Sequence, residues 1–280
     1  MSIPHTLSDT VTLNNGVNMP WLGLGVWQAR GQEVEEAVST ALRFGYRSID
    51  TAMIYGNEEG VGRGIRQSGV PREEIFVTTK VWNRDQGYDK TLNAFDESLA
   101  RLGLDYVDLY LIHWPGKDRY IDTWRALEHL QKEGRARAIG VCNFQVHHLQ
   151  ELIQRTDTVP AVNQVEYHPR LAQKELAAYC QQQGIRLEAW SPLMQGGLLN
   201  HSTLQKIADR HGKSVAQIIL RWDIQNGVVT IPKSVKEHRI RSNADIFDFT
   251  LSSEDMALID ELNREERIGP SPDEFMIDFN

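Results

Sequence analysis

Residues 75 to 114 read "IFVTTKVWNRDQGYDKTLNAFDESLARLGLDYVDLYLIHW". Apolar and β-branched runs at 75 to 81 and 107 to 114 predict two strands. Between them, residues 89 to 103 carry helical periodicity and stop at Gly103. Strands joined through a helix run parallel, with a right-handed crossover. The same unit recurs on both sides. Further strands are expected at 21 to 25, 46 to 50, 136 to 143, 161 to 168, 185 to 192 and 228 to 234, with helical segments between most of them. The connection from Leu193 to Val228 is longer and reads as two helices. No Pro/Gly/Ser-rich linker or charge block interrupts the series, so one domain spanning residues 1 to 280 is expected. Alternation of this kind allows an open doubly wound sheet or a closed barrel, and eight units in roughly 250 residues match the (β/α)8 TIM barrel.

Ahead of the first unit, "VTLNNGVNMPWLGLG" (11 to 25) places Asn-Asn-Gly between short alternating segments. That predicts an N-terminal hairpin with a tight primed turn, closing the bottom of the barrel. The composition, 41% hydrophobic and 24% charged, supplies a sizeable core. A net charge of −8 argues against nucleic acid or an anionic membrane as the main partner, so any anion site must be local. Two cysteines make no disulfide framework, and neither a signal peptide nor a long apolar run is present, which points to a cytoplasmic protein. No heptad seam demands a partner, and a monomer is expected. The nine histidines show no metal-ligand spacing, and His147 and His148 read as a helix start, so no metal is expected.

Polar residues fall where a barrel builds its site. Asp50 closes the second strand, Lys80 and His113 lie at the ends of the third and fourth, and Asn143 at the end of the fifth. Gln164 sits in the sixth, Trp190 and Ser191 end the seventh, and Lys233 lies near the end of the eighth. Taken singly, Asp50 reads as a helix N-cap, Lys80 as a solvated charge, and His113 and Tyr55 as packing residues. Converging on one barrel mouth, they suit carbonyl reduction. A reduced carbonyl needs a proton, which a phenol can give; an ammonium beside the phenol favours its ionised form, and a buried carboxylate holds that ammonium. On this reading Asp50 serves Lys80, Lys80 tunes Tyr55, and His113 donates to the substrate oxygen.

The segments "GYRSIDTAMIYGNEEGVG", "TTKVW", "DLYLIHWPG", "AIGVCNF", "NQVEYHP", "WSPL" and "IPKSV" with the following "RI" and Asn243 occur in an order that resembles the aldo-keto reductases, over roughly residues 10 to 265. The resemblance implies a catalytic tetrad at Asp50, Tyr55, Lys80 and His113, and NADPH (NADP+) as cofactor. It further implies that Asn143 and Gln164 bind the nicotinamide carboxamide, Trp190 stacks on the ring, and Ser191 and Leu193 with the following "MQGG" lie along the pyrophosphate. Lys233, Ser234 and Arg239 would grip the adenosine 2′-phosphate, with Val235 a backbone contact and Asn243 an adenine contact. Trp27, Trp82 and Trp114, with His113, would wall the site of a small carbonyl substrate. "GLGVWQ" and "GVGRGI" each lack the third glycine of a dinucleotide fingerprint, so the cofactor must be held otherwise.

Cys142 stands where the family commonly has serine, and Ser242 where it often has an acid or amide. The tail "RIGPSPDEFMIDFN" is short beside the long C-terminal loop of many animal members, which implies a more open pocket wall. Within the family the pattern is most similar to the bacterial branch of Bacillus-type glyoxal and methylglyoxal reductases, with 2,5-diketo-D-gluconate and other keto-sugar reductases as the alternative. A redox-silent nucleotide-binding barrel is the reading from a different class, disfavoured by the presence of both Tyr55 and Lys80.

Overall fold

The computed structural model describes residues 3–116 and 118–278, so the expected domain span of 1 to 280 runs past the described residues at both ends. Strands β1 (Thr10–Thr12) and β2 (Asn18–Pro20) pair antiparallel as the expected hairpin. Its turn differs from expectation. Gly16 donates to Leu13 O, Leu13 N to Val17 O, and of the turn residues only Gly16 has positive φ (85°). A two-residue type I′ turn needs two such residues; the chain instead uses a longer loop in which the glycine alone takes the left-handed position. Asn14 and Asn15 donate from this loop to Pro160 O (3.0 Å) and Arg137 O (3.0 Å), fastening it at the N-terminal edge of the barrel.

Eight parallel strands follow in chain order: β3 (Leu24–Gly25), β4 (Ser48–Asp50), β5 (Phe76–Val81), β6 (Val107–Ile112), β7 (Ala136–Cys142), β8 (Val162–Glu166), β9 (Arg186–Trp190) and β10 (Val229–Thr230). Each lies within its expected segment. The first and last are shorter than expected because the closing seam is a broken ladder. Leu22 bridges Thr230 and Gly25 bridges Lys233, while Pro232 between them has no N–H to give. The seam also needs close approach, since a Cβ on Gly25 would lie 2.8 Å from Ile231 O. The sheet is therefore closed into the (β/α)8 barrel. β5 and β6 are buried at every position, which is why they read as near-continuous apolar runs.

Outside the sheet pack α1 (Gly31–Phe44), α2 (Glu58–Ser68), α3 (Tyr88–Leu102), α4 (Tyr120–Lys132), α5 (Val146–Arg155), α6 (Lys174–Gln182), α7 (Ser202–His211) and α8 (Val215–Gln225). α7 and α8 are the expected pair between Leu193 and Val228. Two more helices, α9 (Glu237–Ala244) and α10 (Ser253–Asp260), follow the last strand; Ser252 caps α10 by accepting from Asp255 N.

The glycines of "GVGRGI" have a packing role. A Cβ on Gly62 would come within 2.0 Å of Leu102 O, so α2 presses its backbone against the end of α3. Gly62→Ala must push the helices apart, and we expect a loss of about 2 kcal/mol or more in urea unfolding, with the tetrad geometry disturbed less than the stability. Unchanged stability would contradict this contact.

Candidate active site

Asp50 is the last residue of β4 and is 2% exposed. Its carboxylate does not cap the following helix, the plain reading of an Asp in this position. Lys80, on β5 and fully buried, donates to Asp50 Oδ1 at 2.7 Å and to Thr51 O at 2.9 Å. A buried ammonium requires such partners, because an unpaired charge in this environment would cost several kcal/mol. Tyr55 arrives on a single 3₁₀ turn, Met53–Tyr55, ended by Gly56 at φ 62°. Asn57 anchors the turn: it accepts from Thr51 Oγ1 (2.6 Å) and donates to Val26 O and Ala29 O, tying this loop to the one before it. The result puts the Tyr55 hydroxyl 3.5 Å from Lys80 Nζ.

His113 follows β6 and packs edge-on to Tyr55 (ring centroids 5.8 Å) and to Trp82 (5.1 Å). Its Nδ1 is buried without a partner, and burial, with Lys80 nearby, holds its pKa well below the usual histidine range. His113 is thus a neutral imidazole, able to donate one N–H. Tyr55 is half-buried, but its hydroxyl points at the fully buried Lys80. Burial pushes its pKa up to about 12; Lys80 pulls it down, and Asp50 pushes it up again. The sign of the lysine effect is as expected, but burial outweighs it, and the phenol is held protonated rather than ionised. Burial opposes the charge on Lys80 too, yet Asp50 and Tyr55 raise its pKa above the ordinary lysine value.

Behind the tetrad, Asn143 accepts from Trp190 Nε1 at 2.8 Å and donates to His113 O at 3.0 Å, so the indole and the histidine backbone are tied through one amide. Gln164 donates to Asp50 Oδ2 (2.7 Å) and to Glu188 Oε2 (2.8 Å). Both amide protons are used, and its carbonyl oxygen accepts from the Cys142 thiol, leaving that oxygen's second lone pair as its remaining acceptor. That oxygen faces the Cys142 thiol at 3.8 Å. Ser191, Met194 and Gln195 all have positive φ, an uncommon conformation for non-glycine residues, in the loop leaving β9 where Ser191 and Leu193 were expected to line a ligand.

After β10, Ser234 accepts from Lys236 N at 3.1 Å and opens the turn into α9. Lys233, Lys236 and Arg239 are exposed and form no ion pair among the described residues, whereas Arg241 pairs with Glu237. These cations cluster just after the last strand, in a chain whose net charge is −8. Val235 is partly buried and Asn243 buried on α9.

Trp82 and Trp114 form an aromatic cluster with Phe275 from the tail, which stacks on Trp114 at 4.1 Å and meets Trp82 edge-on at 6.2 Å. Trp27 stands outside this cluster, 45% exposed. The tail does more than its length suggests. Trp82 Nε1 donates to Asp278 Oδ2 (2.8 Å), Asn83 Nδ2 to Ile277 O (2.9 Å), and Glu166 accepts from the N–H groups of Ile268 (2.7 Å) and Gly269 (3.0 Å). The short tail thereby packs over Trp82, Asn83 and Trp114.

His147 and His148 begin α5 as expected; both approach Asp273 of the tail, at 3.1 and 3.6 Å. His148 Nδ1 accepts from Gln145 N, which leaves the proton on Nε2, the atom facing the carboxylate. Asp273 of the tail thus lies within ion-pair distance of both imidazoles at the start of α5. Glu188 and Phe275 were missed in the sequence. Glu188 had a signal, two residues before Trp190 on the same strand face; Phe275 had none.

The model of the aldo/keto reductase family matches residues 21–264. The chain belongs to this family. The glyoxal reductase of Bacillus subtilis (strain 168) is 67% identical over 275 residues, covering 98% of this chain and 100% of that one. The methylglyoxal reductase DkgA of Escherichia coli (strain K12) is 48% identical over 269 residues, covering 95% and 97%. Among solved structures, a Gox0644 variant in complex with NADPH superposes with a TM-score of 0.92 at 43% identity, covering 96% of this chain and 99% of that one. In this aldo/keto reductase the buried ion pair, the protonated phenol and the neutral imidazole all meet at the C-terminal mouth of the barrel.

Proposed function

We propose that the protein is an NADPH-dependent reductase of aldehydes and small α-oxoaldehydes, glyoxal and methylglyoxal among them. The observation that carries the reading is the pairing of Tyr55, kept protonated by burial, with Lys80 Nζ 3.5 Å from its hydroxyl. When bound, NADPH supplies the hydride that the carbonyl carbon accepts. His113, neutral, donates an N–H to the substrate oxygen and stabilises the charge that grows there. Tyr55 gives that oxygen its proton, and the ammonium of Lys80 stabilises the phenolate left behind. Asp50 keeps Lys80 charged and aimed.

The carbonyl of Gln164 and the amide of Asn143 suit a carboxamide, Trp190 offers a ring face, and Ser191 and Leu193 belong to the loop beside it. Lys233, Ser234, Val235, Arg239 and Asn243 offer cations and polar groups to an adenosine 2′-phosphate and its base. Trp82, Trp114 and Phe275 offer an apolar aromatic surface beside His113 that suits a small carbonyl. The relatives named glyoxal and methylglyoxal reductase support this substrate class. The whole chain acts as one catalytic domain, read as a cytoplasmic monomer. Two free buried cysteines support the reducing compartment, and no helix among the described residues is long and apolar enough to cross a membrane.

Comparing kcat/KM for glyoxal, methylglyoxal and a 2,5-diketo sugar acid, with NADPH and with NADH, tests the reading. Higher values for the two oxoaldehydes with NADPH are expected, and preference for the sugar acid would move the assignment to keto-sugar reduction. Arg239→Ala should raise the Kd of NADPH by roughly tenfold to a hundredfold, the range expected for loss of a charged hydrogen bond, while leaving NADH nearly unchanged. Equal weakening of both would remove Arg239 from the phosphate.

A further inference from the structure

Glu188 is the one carboxyl beneath the tetrad, among the described residues, for which the mechanism above has no use. It is fully buried on β9, in register with Gln164 on one side and Val229 on the other. Its Oε2 accepts from Gln164 Nε2 at 2.8 Å, and its Oε1 has no partner at all. The other proton of the same amide goes to Asp50 Oδ2. One amide therefore bridges two carboxyls, and through Asp50 the chain Glu188, Gln164, Asp50, Lys80 ends at the phenol of Tyr55. The titratable groups facing Glu188 are Asp50 from β4, Lys80 from β5 and the Cys142 thiol from β7.

Resting on the cofactor reading above, we propose that Glu188 is a positioning residue with two effects: it fixes the orientation of the Gln164 amide, and by gaining or losing a proton it sets the balance of affinity between oxidised and reduced dinucleotide. The first effect follows from the hydrogen bonds, since an amide whose two protons are both held cannot flip. The second follows from charge. Trp190, the proposed ring platform, lies two residues along the same face of β9, about 7 Å of strand. Oxidised nicotinamide carries a positive charge that reduced nicotinamide lacks, so a carboxylate one layer below favours the oxidised form.

Burial first, and then Asp50, push the pKa of Glu188 up to about 8, while Gln164 and Lys80 work against that rise. The carboxyl is thus mostly neutral at pH 6.5 and mostly charged at pH 9.5. The sign is fixed by linkage. NADP+ stabilises the charged carboxylate, so binding NADP+ expels a proton that binding NADPH does not, and the Kd ratio of NADP+ to NADPH falls as pH rises. Protons exchanged by the 2′-phosphate are common to the two ligands and cancel in the ratio.

The test is calorimetric titration of the full-length protein with NADP+ and with NADPH between pH 6.5 and 9.5, in two buffers of different ionisation enthalpy. Wild type should show a ratio that falls by about tenfold, the scale of one buried charge acting over this distance, with more proton release for NADP+ near pH 8. Glu188→Gln keeps an acceptor for Gln164 but cannot ionise; its ratio should stay at the low-pH value of wild type throughout. An equal pH dependence in Glu188→Gln overturns the proposal. So does equal proton release for the two ligands in wild type, a result that needs no variant to fold. Binding of both dinucleotides with a flat wild-type ratio overturns the role of Glu188 alone, whereas binding of neither overturns the cofactor reading and this inference together.

Discussion

Tyr55→Phe should lower kcat for aldehyde reduction by at least about a thousandfold while leaving the Kd of NADPH within about twofold of wild type. The first figure is the upper part of the range expected for a positioned proton donor. The second follows from the geometry, since the hydroxyl contacts Lys80 and the ring packs on His113, and neither belongs to the polar groups assigned to the dinucleotide. The substitution removes one oxygen at the edge of a cleft, so the fold should tolerate it, and Lys80 keeps Asp50 and Thr51 O as partners. Steady-state rates beside fluorescence titration of NADPH separate the two effects. Loss of dinucleotide binding in parallel with turnover would mean that Tyr55 shapes the site rather than supplying its proton.

Lys80→Met should be the second most damaging change, and it should act on both stability and the reverse reaction. Removing one partner of a buried ion pair typically costs about 3 to 5 kcal/mol, because the other charge is left uncompensated. Asp50 would keep the hydrogen bond from Gln164, which should offset part of that cost. Urea unfolding measures the remainder. For alcohol oxidation, Tyr55 must act as a base, and its pKa of about 12 already makes the phenolate scarce. Lys80 lowers that pKa, so its loss raises it further, and the rise of oxidation rate with pH should move to higher pH. At neutral pH the oxidation rate should fall by more than about a hundredfold. An oxidation profile identical to wild type would break the coupling between Lys80 and Tyr55.

Much of this was written locally in the chain. The unit at 75 to 114 needs only strand runs, helical periodicity and a glycine stop at Gly103, each visible within a few residues. That Asp50, Lys80, His113 and Asn143 come together was legible because barrel strands end at one rim, so position along a strand translates into position in space. What escaped depended on distance in sequence or on backbone detail. The tail reaches Trp82 and Asn83 across more than 190 residues, and no periodicity announces such a contact. Whether Asn14-Asn15-Gly16 closes as a primed turn or a longer loop depends on φ at two asparagines that tolerate either. The net direction of the Tyr55 pKa escaped for a third reason: residue types give the sign of each charge effect, but the weight of burial appears only once the barrel closes around the hydroxyl.

The most direct test loads the protein with NADPH, mixes it rapidly with methylglyoxal, and follows the absorbance of the reduced nicotinamide in wild type and Tyr55→Phe through a single turnover. Complete decay in wild type and none on the same timescale in Tyr55→Phe, with NADPH bound in both, is the predicted result. Equal decay in the two proteins, or no decay in wild type with this or any small aldehyde, would contradict carbonyl reduction by this tetrad.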